Sequence, residues 1–350
     1  MVARAPSGAC LERLVRMASP LLRAAQRQCP RTGPGRLPDY QDWQIAALIL
    51  VAILGRRKSK SAQYRFLHER RAALQAWLHL TEFPARSTYF TRYRQARRLF
   101  RQAIGLQGLK AIAQGLADPA TVAVDATLLA ARGAVCPPRR RPPRGADRQA
   151  GWGVSDHHGW VWGYSIETVV TAPARGLIFP LMASVRPANA SPCRTFLDKA
   201  PRLPQTTRHV LADAAYDSNA CQEAVERDRH GRPNGRRFLC PLQARGGKPA
   251  VGRTPHRGRR GRQARQRQQR LDVLRSPRGR RLYQRRKQTV EPFHEWFKNA
   301  FELHDRVWHR RLDNNQTQLL AALFAYQLLL RYNHHRGRQN AQVQWILDTL

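Results

Sequence analysis

TVAVDATLLA, residues 121–130, is a β-branched run that carries one acid, Asp125, among apolar neighbours. Alternation of this kind predicts a strand with a buried face. Two more strand-like runs follow, GWVWGYSIETVVTA (159–172) and GLIFPLMASVR (176–186), and three strands in succession predict a meander. Beyond them SPCRTFLDKA (191–200) reads as a helix and RHVLADAAY (208–216) as a buried strand. NACQEAVERDR (219–229) then reads as a helix, RRFLCPLQ (236–243) as a strand and QTVEPFHEWFKNAFEL (288–303) as a helix. The order β-β-β-α-β-α-β-α predicts an α/β fold, a mixed sheet flanked by helices. A last amphipathic helix, QTQLLAALFAYQLLLRY (316–332), is expected to pack back on the core.

Upstream of Pro119 the texture is helical. DWQIAALILVAILG (42–55) is apolar nearly all round and begins at an Asp after Pro38, which predicts a capped, buried helix. PARSTYFTRYRQARRLFRQAI (84–104) opens with a Ser/Thr-rich turn and then spreads Arg92, Arg94, Arg97, Arg98 and Arg101 around a helix, interleaved with Tyr89, Phe90, Tyr93 and Phe100. A short helix, a turn and a second basic helix is how helix-turn-helix modules present a reading helix to the major groove. A solvated basic face is the plainer alternative. The expected division is an all-helical DNA-binding region over 1–118, a sheet domain over 119–334 with an Arg-rich insertion at 251–290, and a tail at 335–350.

The chain has 350 residues, and its 62 Lys+Arg against 23 Asp+Glu give a net charge of +39. That excess favours a polyanionic partner, nucleic acid first. An apolar content of 42% excludes a wholly disordered polymer. Residues 251–290 hold fifteen Arg or Lys and one acid, Asp272, with Gly, Pro and Gln in their first half, so a flexible, salt-sensitive DNA-binding loop is expected there. No apolar stretch reaches the roughly 18 residues of a membrane span, and the basic N-terminus lacks an apolar run ending in a cleavage site. A cytoplasmic, nucleoid-associated protein is expected. The six cysteines lie far apart with no zinc spacing, which predicts reduced thiols.

Three acids stand out in this topology. An ionised Asp125 inside a strand is costly unless it is paired or binds a cation. Asp213 ends the strand HVLADA, at the carboxyl edge where ligand sites of α/β sheets gather. Glu291 opens the late helix, 78 residues further on. Pairing of the first and fourth strands would bring the two aspartates together. Hard oxygen ligands suit Mg²⁺ or Mn²⁺, and two such ions about 3.5–4 Å apart support in-line attack on a phosphodiester. Each acid also has a plain reading: Asp125 paired with a buried arginine, Asp213 capping a helix, Glu291 offsetting a helix dipole.

With these residues in view, the chain resembles bacterial insertion-sequence transposases of the DDE type, whose catalytic domain has an RNase H-like fold. In that family one aspartate lies in a V-D-x-T-like context, here AVDATL, and a second in an A-D-x-x-Y-D-like context, here LADAAYDS. The glutamate sits on a late helix with a lysine after six intervening residues, here EPFHEWFK with Glu291 and Lys298. Some members add Tyr and Arg in a Y-x₂-R-x₃-E-x₆-K pattern. Tyr283 and Arg286 keep their mutual spacing but lie one residue too far from Glu291, where the pattern would place Gln284 and Lys287. Glu295 rivals Glu291 one turn on; the spacing to Lys298 favours Glu291, and Pro292 predicts that it stands at the helix start. Asp217 is expected to be a turn or supporting acid, His157 and His158 a turn or surface pair, and Phe293, Trp296 and Phe297 core.

The resemblance implies that Asp125, Asp213 and Glu291 hold Mg²⁺ or Mn²⁺ and are catalytic, with Lys298, Lys287, Arg286, Arg94, Arg97 and Arg98 on DNA. It further implies strand cleavage and strand transfer, with terminal inverted repeats and a target duplex as partners, no membrane, and a homodimer. A non-catalytic DNA-binding regulator or decayed transposase is the first alternative. A metal-dependent DNA nuclease is the second.

Overall fold

Residues 43–54 offer water almost nothing polar, so a helix built from them has to be enclosed. The protein, seen here in a computed structural model that describes residues 7–30, 39–137, 141, 143–155, 159–243, 258–338 and 342–350, encloses it. Among the described residues six helices come first: α1 (Ser7–Gln28), α2 (Asp42–Leu54), α3 (Lys60–Glu69), α4 (Arg71–Leu78), α5 (Arg86–Tyr93) and α6 (Arg97–Ala113). Every residue of α2 from Trp43 onward is buried. Its cap is Gln41, not the expected Asp: the Gln41 backbone N–H donates to Gln44 Oε1 at 2.8 Å, and Asp42 is already helical. The run 84–104 is two helices, with Ser87 and Thr88 inside α5 and the turn at 94–96. Leu99, Phe100, Ala103 and Ile104 bury one face of α6 against the rest of the molecule.

From Thr121 the chain builds one mixed sheet from β1 (Thr121–Ala130), β2 (Gly151–Ser155), β3 (Gly159–Thr171), β4 (Pro180–Pro187), β5 (His209–Ala212) and β6 (Arg237–Leu239). The order is β2-β3-β1-β5-β6, and β4 also pairs with β3. β1 runs antiparallel to β3 and parallel to β5, which is parallel to β6. β2 is not among the expected strands; it forms a hairpin with β3 in which Trp152 faces Trp162. Gly163 allows β3 to pass close to β1, since a Cβ there would lie 2.0 Å from Leu129 O.

Among the described residues six α-helices flank or follow the strands: α7 (Pro192–Leu197), α8 (Asn219–Glu226), α9 (Gly258–Arg275), α10 (Pro277–Ala300), α11 (Leu312–His335) and α12 (Gln344–Leu347). Two expectations are corrected here. The Arg-rich segment is helical from residue 258, because Arg and Gln are good helix formers even where no apolar stripe exists. The late helix begins at Pro277 and not at Glu291: Ser276 Oγ accepts from Gly279 N–H at 3.0 Å, and proline at the first position costs no hydrogen bond. Pro292 therefore lies inside α10.

α11 is buried from Asn315 to Asn333 and joins the two halves of the chain. Gln316 Nε2 donates to Val185 O at 3.0 Å and Gln327 Nε2 to Pro180 O at 2.7 Å, so buried amides cover the polar groups of edge strand β4. Phe293 and Phe297 of α10 meet Tyr326 of α11 edge-on at 5.7 and 6.3 Å. One buried cluster runs from α1 through the sheet to α11. All six cysteines are free thiols. Among the described residues no helix is long and apolar enough to cross a membrane. His157 and His158 lie outside the described residues.

Candidate active site

β1 and β5 pair in parallel, and Val124 opposite Ala212 is the last rung of their register. Asp125 and Asp213, the next residue on each chain segment, are thereby neighbours where β5 stops. Asp213 also caps the short turn Ala214–Tyr216, its Oδ1 accepting from Ala215 N–H at 2.9 Å. Opposite them stands Arg286 of α10. Its Nη2 lies 3.0 Å from Asp125 Oδ2 and 3.6 Å from Asp213 Oδ2, and its side chain is 9% exposed. Two carboxylates this close repel each other, and one guanidinium between them offsets the repulsion. The compensation is incomplete: burial pushes Asp125 up to about 6, Arg286 opposing and Asp213 adding to the rise. One turn earlier, the Tyr283 hydroxyl donates to Ala212 O at 3.2 Å.

Glu291 is exposed and lines the same cavity, of about 1490 Å³, as Asp125, Asp213, Arg286, Lys287 and Lys298. Its charge is felt by Arg286, but it does not complete a three-acid group with the aspartates. At about 100° per residue, Arg286 and Glu291 leave the helix roughly 140° apart. Val290, fully buried, holds the position aligned with Arg286. Among the described residues no group of three or more His, Cys, Asp or Glu is placed to hold a metal ion. Glu295 lines the cavity as well and is exposed. Lys287 is exposed, and Lys298 Nζ is 2.5 Å from Asp305 Oδ1.

Arg94, Arg97 and Arg98 lie outside this cavity. Arg97 pairs with Asp313 at 3.4 Å, Arg98 is exposed, and Arg94 lines a second, smaller cavity.

Asp217 is a supporting acid with a large task. Its carboxylate takes Arg267 at 2.6 Å, Arg270 at 2.5 Å and the Gln243 N–H at 3.0 Å. Burial alone would raise it, yet the Gln243 N–H and Arg270 hold it below the usual carboxylate range. The loop after Asp213 is thus clamped to Arg-rich α9.

A second network escaped the sequence reading. Glu167 of β3, 2% exposed, meets Lys199 Nζ at 2.5 Å and accepts from the Tyr216 hydroxyl at 3.1 Å. It ties the turn that follows Asp213 to the strand beside β1. The signal was a lone acid in an apolar strand, SIETVV, of the same kind as Asp125. Thr168, opposite Asp125 in the β1–β3 register, contacts His294 Nε2 at 3.0 Å. Burial, then Lys298 and Arg286, push that histidine down to about 3, so it is neutral near pH 7.

The chain matches the model of the transposase DDE domain family over residues 117–328, well over half its length. It belongs to that family. No curated protein and no solved structure matches the chain. The transposase domain so defined spans β1 through most of α11 and contains both aspartates, Arg286 and Glu291. DDE transposases generally use divalent metal. In this chain the two aspartates fit such an ion: their oxygens are hard donors, they already share one cation, and burial leaves Asp125 short of positive charge. Glu291 supplies no third ligand in this arrangement.

Proposed function

We propose that the protein is a transposase of a bacterial insertion sequence that cuts DNA at the element's ends and joins them to a target duplex. The observation that carries this reading is the convergence of Asp125 and Asp213, bridged by Arg286, in a cavity of a chain with a +39 charge that belongs to the DDE transposase family. The strand order and the parallel β1–β5 pair support an RNase H-like fold.

In this mechanism Asp125 and Asp213, with Glu291 from the same cavity, would hold Mg²⁺ or Mn²⁺, and such ions would supply activation of the attacking oxygen and stabilisation of the leaving one. The chain's own groups do the rest. Arg286 offsets the repulsion between the two carboxylates, and its guanidinium is suited to meet a phosphate oxygen in the same cavity. Lys287 and Lys298 contact the DNA backbone from the same cavity, and Arg94, Arg97 and Arg98 contact it from the helical region. Residues 1–118 recognise the ends, 119–334 carry the chemistry with the Arg-rich insertion 251–290 on DNA, and 335–350 form a tail that packs back through Val343, Ile346 and Leu347. Two ends must be joined, which calls for a homodimer, acting on the nucleoid in the cytoplasm.

The test is to incubate the protein with labelled end DNA, a target duplex and Mg²⁺ or Mn²⁺. Wild type should yield a 3′-hydroxyl cut and joined products, and Asp125→Ala should bind DNA but yield neither. Full activity of Asp125→Ala would overturn the assignment. One observation favours a second reading, a DNA-binding regulator without catalysis: no three acids are gathered around an ion position among the described residues. On that reading wild type makes no nick with either metal.

A further inference from the structure

Away from the catalytic cavity, Lys60 of α3, Arg94 at the end of α5 and Arg311 just before α11 line a cavity of about 210 Å³, together with Phe90, Asp313 and Asn314. Lys60 is held without a carboxylate. Its Nζ donates to Asn314 Oδ1 at 2.7 Å and stands over the rings of Tyr93 and Phe90, at 4.8 and 5.9 Å. Asp313 turns toward Arg97. Among the described residues no carboxylate is within ion-pair distance of Lys60, Arg94 or Arg311. The cations feel one another: burial, then Arg94 and Arg311, push Lys60 down to about 8. Arg311 is also held at a φ of +74°, outside the range a branched-free side chain prefers, with its N–H donating to Asp147 Oδ2 at 2.7 Å.

Three cations brought to one cavity by residues 60, 94 and 311 repel one another, and an anion seated among them removes that repulsion. We propose that Lys60, Arg94 and Arg311 form a docking pocket for a backbone phosphate of duplex DNA, apart from the Asp125–Asp213 cavity. The pocket joins two helices of the N-terminal region to the start of α11, so a duplex held here is fixed relative to the transposase domain. The proposal rests on the reading of DNA as the partner.

The experiment is fluorescence anisotropy of labelled duplexes of unrelated sequence with the full chain in EDTA, over a range of salt. Lys60→Gln and Arg94→Gln should each weaken binding on every sequence and lower the slope of log affinity against log salt by about 1. Lys60→Arg, which keeps the charge, should behave as wild type. Should Lys60→Gln fail to fold, Arg94→Gln carries the test, since its side chain is exposed. Unchanged slopes would overturn the proposal. So would an equal fall in Arg175→Gln, an exposed arginine on the β3–β4 connection, because diffuse charge would then explain the effect. Inorganic phosphate that raises the melting temperature of wild type while the slopes of the variants stay unchanged would assign the pocket to free phosphate instead. No strand chemistry enters, so failure here leaves the Asp125 cleavage test standing, whereas a wild-type chain that binds no duplex would sink the partner reading itself.

Discussion

Asp125 is asked to be both buried and ionised, and its environment answers only half of that demand. Arg286 faces it at 3.0 Å, yet burial pushes the carboxyl up to about 6. An unfolded aspartate titrates near 3.9. Below about pH 4 the group is protonated in both states and its burial is cheap. As pH rises through 6 the folded protein must hold a buried carboxylate, and stability falls by about 2–3 kcal/mol. In metal-free buffer, the melting temperature of Asp125→Asn minus that of wild type should therefore climb between pH 4 and 6 and level off by pH 8. A difference that stays flat over that range would show the carboxyl to be fully compensated. His294, held neutral in the fold down to about pH 3, lowers stability as pH falls through 6.5 because the unfolded chain takes up a proton there, but it does so equally in both proteins and cancels from the difference.

At the scale of elements, α9 and α10 show how polar sequence becomes fixed structure. α9 has almost no apolar face, and Asp217 holds it through Arg267 and Arg270, the latter 2% exposed. Asp217→Ala leaves a buried guanidinium unpaired and should cost about 3–5 kcal/mol. Amide hydrogen exchange along α9 should accelerate in that variant; exchange as slow as wild type would mean that something else holds the helix. The segment looked like a loop because hydrophobic periodicity, the main helix signal, is silent when charges do the anchoring. α10 was legible in its second half, where Phe293 and Phe297 mark the buried face, although Trp296, expected in the core with them, is 42% exposed. Its start was marked by Ser276-Pro277, a capping pair that Pro292 outshone.

At the scale of the molecule, the chain carries a net charge of +39, and among the described residues one buried cluster runs from α1 to α11. Each phosphate contact releases counterions, so duplex binding should weaken about 10³–10⁵-fold between 50 and 200 mM salt if six to ten contacts form. A filter-binding titration that falls less than tenfold would argue against a duplex partner. The sequence by itself determined every strand but β2, the helical N-terminal region and the strand contexts of Asp125 and Asp213, because alternation of side chains and the cost of a charge in a strand are local effects. Only the tertiary structure decided that Arg286 stands between the aspartates, that Glu291 lines their cavity without completing a three-acid group, and that Lys60, Arg94 and Arg311 meet. Those depend on helix phase and on contacts between segments far apart in the chain, and residue spacing along the chain does not encode the angle at which one packed helix faces another.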